Sequence, residues 1–370
     1  MMFSIPLAAI TSRFFSRSFT VSLSSSGFAR KRLFISTRTF TTRKKGKASL
    51  SNRDVNYQRE GTLRLVGPDS HGILAACTEV LNRHNCNIVK HEQWTDIRQN
   101  MFFSRVSFHY NNDNGVIYGE KNNSDAVDKI ACEKDLTDAF PSNELKALWD
   151  WRDRRKKLGI LVSKYDHCLW ELLLRHKARE LDAEIHVVIS NHDTLRPVVE
   201  SFGIPFHVTP ISKTESIAAA ALEENNTGTK KSALPLHESK QLELLKDVDV
   251  VILARYMQIL SPVFLDHFPL DRIINIHHSF LPAFIGSSPY HQAHERGVKL
   301  IGATAHYTTK VLDDGPIIEQ DVTIVSHRDS VKQLIKKGRV LERNVLLKAI
   351  EAHLDDRVIV HGSRCVVFGD

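Results

Sequence analysis

The stretch IINIHHSFLPAFIG, which begins at Ile273, places an amide and an imidazole along an apolar run. Its branched apolar residues predict a buried strand, because β-branched side chains favour sheets. Asn275 and His277 interrupt this run two positions apart, so they share one face of the strand. An asparagine amide can stabilise a developing oxyanion, and a histidine can donate or accept a proton. The pair therefore indicates acyl-transfer chemistry at the end of a strand.

A second segment, LIGATAHYTTKVLDDGPII, adds a further imidazole and a carboxylate. His306 ends an apolar run, and Asp313 lies in a tight acidic loop that Gly315 closes. An aspartate beside a histidine can orient the ring or take a proton from the attacking group. A buried histidine is more often a core residue than a catalyst, and we assign three others to the core or to supporting positions: His278, His291 and His294.

Metal and disulfide chemistry find little support in the sequence. No histidine pair stands at helical metal-binding spacing with a carboxylate partner, so we expect no metal and no redox cofactor. The five cysteines show no close pairing. That spacing disfavours zinc ribbons and a disulfide scaffold, and it suits a reducing compartment.

The chain divides into three parts. Residues 1–53 contain seven Arg, four Lys and no acidic residue, which is typical of a transit peptide, with a disordered basic tail as the alternative. We expect import into the mitochondrion, or otherwise the chloroplast. Because the formal net charge of the whole chain is +7, the remainder carries −4. The folded part therefore disfavours nucleic acid, and no apolar run in the leader suits a membrane span.

Two folded domains are predicted after this leader. Residues 58–150 show strand, helix, strand, strand and helix, which indicates a small ferredoxin-like α+β unit. Residues 157–370 alternate strands and helices in the manner of a Rossmann-like, mostly parallel α/β sheet. The charged segment WDWRDRRKK is expected to be an exposed join. Residues 211–240 read as a surface insertion, and the terminal helix is expected to be broken or strained at Gly338.

Residues 158–370 resemble the folate-dependent formyltransferase family. The resemblance rests on NIHHSFLPAFIG, LIGATAHYTTKVLDDGPIIEQ and ARYMQILSP. It implies that Asn275, His277 and Asp313 are catalytic and that His306 lies beside them as a substrate-binding residue. It also implies that the pterin of the folate substrate is bound by Met257, Gln258, Ile259 and Leu260.

The segment LVGPDSHGILAACTEVLNRHNCNI resembles an ACT domain, a module that binds an amino acid at a domain interface. Free amides at a helix N-terminus attract a carboxylate. The resemblance therefore implies an effector site at the turn formed by Asp69, Ser70, His71 and Gly72. A plain turn with Asp69 as helix cap explains the same residues. Assembly of a homo-oligomer is the alternative role for the module.

Three formyl acceptors are known for such a fold: glycinamide ribonucleotide, initiator methionyl-tRNA and water. The stretch VSKYDHC after the first strand of this domain contains no glycine, so backbone amides cannot approach a phosphate closely. The acidic body disfavours tRNA. Water remains, which implies hydrolysis of 10-formyltetrahydrofolate in one-carbon metabolism and purine biosynthesis. Lys310, where related loops are often acidic, is a departure. A folate-binding amino-acid sensor and a phosphoribosylglycinamide formyltransferase stay as alternatives.

Overall fold

The computed structural model describes residues 59–111, 127–140, 144–211, 234–283 and 289–369, all within one unit of the chain, Asn56–Asp370. The predicted transit peptide lies outside the described residues. The same holds for residues 212–233 of the predicted insertion and for residues 284–288 of the motif that follows Asn275.

The N-terminal part folds into a four-stranded antiparallel sheet with two helices. In chain order the elements are β1 (Arg59–Pro68), α1 (Ile73–Arg83), β2 (Asn87–Asp96), β3 (Met101–Tyr110), α2 (Lys129–Asp138) and β4 (Lys146–Asp150). The sheet order is β2-β3-β1-β4, with β1 paired to both β3 and β4. This arrangement is the ferredoxin-like topology that the sequence predicts.

The join after this sheet is less exposed than its charge suggests. Trp149 stacks on Trp151 at a ring separation of 5.1 Å, and Trp151 meets the ring of Phe108 edge-on at 5.3 Å. Trp151 is buried and donates from Nε1 to a carboxylate oxygen of Glu133 at 2.6 Å. The prediction of an exposed join is therefore wrong for the tryptophans, because the apolar area of their rings outweighs the charge of their neighbours.

The C-terminal part contains a seven-stranded sheet of order β11-β10-β9-β8-β5-β6-β7. Its strands are β5 (Lys156–Val162), β6 (Ala183–Ser190), β7 (Phe206–Val208), β8 (Val250–Leu253), β9 (Ile273–His277), β10 (Leu300–Tyr307) and β11 (Ile317–Ile324). The five strands from β5 to β9 pair in parallel, whereas β10 is antiparallel to both β9 and β11. The mostly parallel, Rossmann-like sheet is thus confirmed.

Helices cover both faces of this sheet, and apolar clusters fill the space beneath them. The described helices are α3 (His167–Ala178), α4 (Arg196–Ser201), α5 (Leu236–Leu244), α6 (Pro262–Leu265), α7 (Pro289–Glu295) and α8 (Val331–Leu354). A terminal hairpin of β12 (Val358–His361) and β13 (Arg364–Val367) follows α8. Ile359 of β12 and Phe368, which follows β13, pack with Val66 and Phe103 of the N-terminal sheet.

The helix α8 is continuous, so the predicted break at Gly338 is wrong. Ser330 caps its first turn in a capping box with Gln333. A Cβ atom at Gly338 would lie only 2.0 Å from the hydroxyl of Tyr290. The glycine therefore serves the close approach of α7 to α8 and not a change in helix direction. Although α8 has 24 residues, neither it nor another described helix is long and apolar enough to cross a membrane.

Candidate active site

A cavity of about 630 Å³ opens at the carboxyl ends of β5, β8 and β9. Open parallel sheets bind ligands at this edge, because the loops that leave the strands diverge there. Asn275, His277, His306 and Asp313 all line the cavity. Of these residues, three come from the strands β9 and β10, and Asp313 comes from the loop between β10 and β11.

The pairing of β9 with β10 sets Asn275 opposite His306. Nδ2 of Asn275 lies 3.2 Å from Nε2 of His306, and Nδ1 of His306 donates to the carbonyl oxygen of Tyr307 at 2.9 Å. A carbonyl oxygen only accepts, so Nδ1 carries the proton and Nε2 of the neutral ring accepts from the amide. Burial lowers the pKa of His306, which keeps the ring neutral. The second amide hydrogen of Asn275 remains for a ligand.

Asp313 orients the other histidine. Its Oδ1 lies 3.2 Å from Nδ1 of His277 and 3.9 Å from Nε2 of His306. Burial opposes ionisation of Asp313, but the hydrogen bond and the charge of His277 outweigh it, so the pKa of Asp313 is lowered. Nε2 of His277 is buried and has no hydrogen-bond partner among the described residues. The site therefore combines the ionised carboxylate of Asp313 with Nε2 of His277, which is available for a hydrogen bond to a ligand.

The loop that carries Asp313 is held in a demanding conformation. Asp313 has a φ of 55°, in the left-handed region that few residues other than glycine adopt. Two residues later, a Cβ atom at Gly315 would lie 1.6 Å from the carbonyl oxygen of Tyr307. Only glycine fits this position. The loop thus closes onto the end of β10, as the glycine in the sequence predicts.

The predicted pterin segment follows β8 directly. Met257 and Ile259 expose about half of their side chains, whereas Leu260 is buried, and all four residues of the segment line the cavity. The backbone N–H of Met257 donates to Oγ of Ser163 at 3.1 Å, which ties the segment to the end of β5. The structure thus places Met257, Gln258, Ile259 and Leu260 beside the catalytic candidates. Exposed apolar side chains on the cavity wall suit a flat aromatic ring.

The predicted effector residues lie elsewhere. Asp69, Ser70, His71 and Gly72 connect β1 to α1, and none of them lines the cavity. The N-cap of α1 is Gly72, with a φ of 91° and no side-chain hydrogen bond to the helix. Asp69 is therefore not the helix cap, and the first-turn amides of α1 have no side-chain cap.

A buried ion-pair network that the sequence reasoning missed lines the same cavity. The carboxylate of Glu342, on α8, lies 2.8 Å from Nε2 of His167, 3.2 Å from Nε of Arg255 and 2.6 Å from the hydroxyl of Tyr290. Burial opposes its charge, but His167 and Arg255 outweigh burial, so the pKa of Glu342 is lowered. One signal was available: Glu342 falls on the buried face of an amphipathic helix, where charge is rare unless paired.

Three members of this region stand close enough together to suggest metal ligands: His167, Cys168 and Glu342. The guanidinium of Arg255 already pairs with the carboxylate of Glu342. Burial also raises the pKa of the Cys168 thiol, so the thiolate that a metal requires is disfavoured. We therefore assign no metal to this cluster.

Comparison with known proteins defines first the class of the domain. The Formyl transferase family matches residues 156–350. This range contains every strand of the seven-stranded sheet and the four site residues Asn275, His277, His306 and Asp313. The fold and the site are therefore those of a formyl transferase domain.

Relatives that match most of the chain identify the family within this class. Formyltetrahydrofolate deformylase of Bacillus subtilis is 45% identical over 321 residues, 85% of this chain and 96% of that protein. The protein of the same name from Synechocystis is 42% identical and covers 83% and 98%. A crystal structure of a formyltetrahydrofolate deformylase from Pseudomonas syringae superposes with a TM-score of 0.72 at 37% identity, covering 85% of this chain and 96% of that one. The chain belongs to the formyltetrahydrofolate deformylase family.

Proposed function

We propose that the protein hydrolyses 10-formyltetrahydrofolate to tetrahydrofolate and formate. The observation that carries this proposal is the convergence of Asn275, His277 and Asp313 on one cavity of a formyl transferase domain. The name of the relatives is consistent with it. A protein that only bound folate would have no use for an oriented histidine, an ionised carboxylate and an amide donor together. The same observation therefore disfavours the alternative of a folate-binding sensor.

The geometry supports a simple sequence of steps. The free amide hydrogen of Asn275 and a hydrogen on Nε2 of His277 stabilise the oxyanion that forms when water adds to the formyl carbon. The carboxylate of Asp313, which also holds Nδ1 of His277, takes the proton from that water. The bond between carbon and N10 then breaks as N10 takes the proton from Nε2 of His277. The proton that Asp313 accepted returns to His277, and the formic acid loses its own proton to solvent to become formate. Formate and tetrahydrofolate are then released.

Because each of these steps uses only side chains of the protein, dialysis against a chelator should leave the rate of hydrolysis unchanged.

Among the described residues, bulky and charged side chains, and no glycine, line the part of the cavity after β5 where a phosphorylated acceptor would need free backbone amides. The ring of Tyr165, which follows β5, lies 5.3 Å from the guanidinium of Arg255, and Arg255 pairs with Glu342. This arrangement places an ion pair and an aromatic ring beside the catalytic residues. It leaves no glycine-lined cradle for a phosphate after β5.

We therefore expect that glycinamide ribonucleotide, even in excess, neither accepts the formyl group nor competes with hydrolysis. The reason is that the segment after β5 contains no glycine and that Tyr165 and Arg255 line the cavity there. Mass spectrometry of the reaction mixture would detect a formylated ribonucleotide, and formate release would report competition. Formylated ribonucleotide above background would support the alternative of a phosphoribosylglycinamide formyltransferase.

We also propose that the N-terminal sheet is an ACT module that binds an amino acid between two copies of the chain in a homo-oligomer. The uncapped first turn of α1 supports a carboxylate site at Ser70 to Gly72, and Asp69 suits an α-amino group. Glycine and methionine are the first effectors to test. An effector acts only through different affinities for two states of the enzyme, so its effect should saturate.

For this module we expect Asp69→Ala to abolish a saturable response of hydrolysis to the effector without lowering the basal rate. Asp138→Ala provides a matched control, because Asp138 is an exposed aspartate at the end of α2 in the same domain. Initial rates of hydrolysis over an amino-acid titration would measure both the basal rate and the response to the effector in each variant. If the wild-type enzyme responds to no common amino acid, or if Asp69→Ala responds as the wild type does, the module is only an assembly surface.

For localisation we propose the mitochondrion, with the chloroplast as the alternative. The support is the acid-free, Arg-rich composition of residues 1–53. A fluorescent protein fused behind these residues should enter that organelle, and a cytosolic signal would contradict the proposal.

A further inference from the structure

The N-terminal sheet holds the C-terminal end of α8. Arg105 of β3 is buried and donates from Nη2 to the carbonyl oxygen of Asp355 at 2.8 Å and from Nε to that of Asp356 at 3.2 Å. Arg64 of β1 donates to the carbonyl oxygen of Val358 at 2.7 Å. Carbonyl groups at the end of a helix lack partners within the helix, so these arginines fix the chain where α8 ends.

A cluster of ion pairs also fixes the chain at the C-terminal end of α8. Asp356 is 2% exposed and has a φ of 55°, and its Oδ1 lies 2.8 Å from Nζ of Lys156 and 3.5 Å from Nη2 of Arg64. Arg152, in the join, lies 3.8 Å from the other carboxylate oxygen. A carboxylate buried among three cations allows little displacement, because each lost contact would leave a charge unpaired.

The last turn of α8 contacts the end of β10. Nδ1 of His353 and the hydroxyl of Tyr307 form a buried hydrogen bond of 2.7 Å. Burial lowers the pKa of His353 well below its usual value and raises that of Tyr307, so both groups are neutral. The hydroxyl of Tyr307 therefore anchors this end of β10 to the helix.

The backbone of Tyr307 lies between two parts of the catalytic site. Its carbonyl oxygen accepts from Nδ1 of His306 at 2.9 Å and packs against Gly315 in the loop that carries Asp313. Its N–H donates to the carbonyl oxygen of Pro316 at 2.9 Å. A shift of Tyr307 would consequently move both His306, which accepts from Asn275, and the loop of Asp313.

We propose that Tyr307 and His353 are positioning residues for His306, Asn275 and Asp313, and that the N-terminal sheet acts on these catalytic groups through the end of α8. The proposal rests on the proposed hydrolysis. It assigns a function to the hydrogen bond between Tyr307 and His353, two residues that are 46 positions apart in the sequence and do not line the cavity. Packed side chains and hydrogen bonds of this kind carry coupling between sites, and double-mutant cycles measure it.

The first test is Tyr307→Phe, which removes the hydroxyl and retains the ring. We expect kcat to fall about tenfold with KM within about twofold of wild type, since a misplacement of ~1 Å can cost up to ~10²-fold in rate. Tyr110→Phe is the matched control, because the Tyr110 hydroxyl is also buried and donates to the carbonyl oxygen of Trp151, away from α8. The control should retain the wild-type kcat at a comparable loss of thermal stability.

The second test addresses the N-terminal sheet. Arg105→Lys retains the charge but loses the fork that reaches two carbonyl groups, and we expect kcat to fall about threefold. Arg83→Lys, at an exposed arginine of the same domain that pairs with Glu79 and Asp135, should have no effect. Combining Arg105→Lys with Tyr307→Phe should lower kcat no further than Tyr307→Phe alone, because Arg105 is proposed to act on the catalytic groups only through the end of α8 and its hydrogen bond to Tyr307.

A readout independent of turnover separates this proposal from the proposed function. In protein labelled with ¹⁵N-histidine, the His306 ring should show the Nδ1-protonated tautomer in wild type and a shifted or averaged signal in Tyr307→Phe. The proposal is overturned if that signal is unchanged, if kcat changes less than twofold, or if Tyr110→Phe matches Tyr307→Phe. Absence of formate release by the wild type, with the expected His306 signals, would instead contradict only the hydrolysis.

Discussion

Asp313→Asn should lower hydrolysis by about 10²–10⁴-fold while folate binding stays nearly intact, because the variant loses the base that takes the proton from water. The amide can still accept a hydrogen bond from Nδ1 of His277, so the ring keeps its orientation. The lowered pKa of Asp313 means that wild type presents a carboxylate at neutral pH, and asparagine cannot replace its charge. Formate release would measure the rate, and fluorescence titration with a folate would measure binding.

The neighbouring residue offers a matched control for this change. Asp314 lies in the same loop but is exposed and does not line the cavity. Asp314→Asn should retain turnover within about twofold. If Asp313→Asn retained more than about a tenth of the wild-type rate, loss of a general base could not describe it. Asp313 would then have no place in the mechanism.

Asn275→Ala is expected to lower kcat by about 10²–10³-fold, the usual loss when one oxyanion donor is removed. The amide of Asn275 donates one hydrogen to Nε2 of His306 and has the other free for the oxyanion. The variant therefore loses transition-state stabilisation and leaves Nε2 of His306 without its hydrogen-bond donor. Because the donor acts mainly on the developing charge, KM should change far less than kcat. Steady-state kinetics of formate release separate the two constants.

Asn191→Ala is the matched control for this prediction. Asn191 follows β6 at the carboxyl edge of the same sheet but does not line the cavity, and its Oδ1 is buried with no partner among the described residues. Its loss should leave kcat near the wild-type value. Equal losses in both variants would point to damage of the sheet edge and would remove Asn275 from the oxyanion site.

The strands that carry the site could be predicted from the sequence because their signals are local. Apolar runs mark β8, β9 and β10, and the carboxyl edge of a parallel sheet is where polar residues such as Asn275 gain access to a ligand. The glycine-closed loop around Asp313 was similarly readable. These features depend only on residues within a few positions of one another.

The contacts that complete the site could not be predicted in this way. The hydrogen bond of His306 to Asn275 depends on the antiparallel register of β10 against β9, which the pairing of distant segments sets. The family resemblance implies that His306 binds substrate, whereas in the structure both of its ring nitrogens have partners within the protein. Direct contact of His306 with the folate stays a prediction.

Other features were misread because one residue type fits two physical roles. Gly338 looked like a helix break, yet it makes room for Tyr290, whose hydroxyl reaches Glu342. The charged residues around Trp151 predicted an exposed segment, although Trp151 itself is buried. In each case the deciding contact comes from a residue remote in the chain, which composition and periodicity do not reveal.

Formate release from 10-formyltetrahydrofolate with no amine present is the measurement that shows whether water is the formyl acceptor. If water is the acceptor, we expect stoichiometric formate and tetrahydrofolate, at a rate that Asp313→Asn reduces by at least about a hundredfold. Tight binding of the folate without formate, or formate that appears only when an amine acceptor is added, would contradict it.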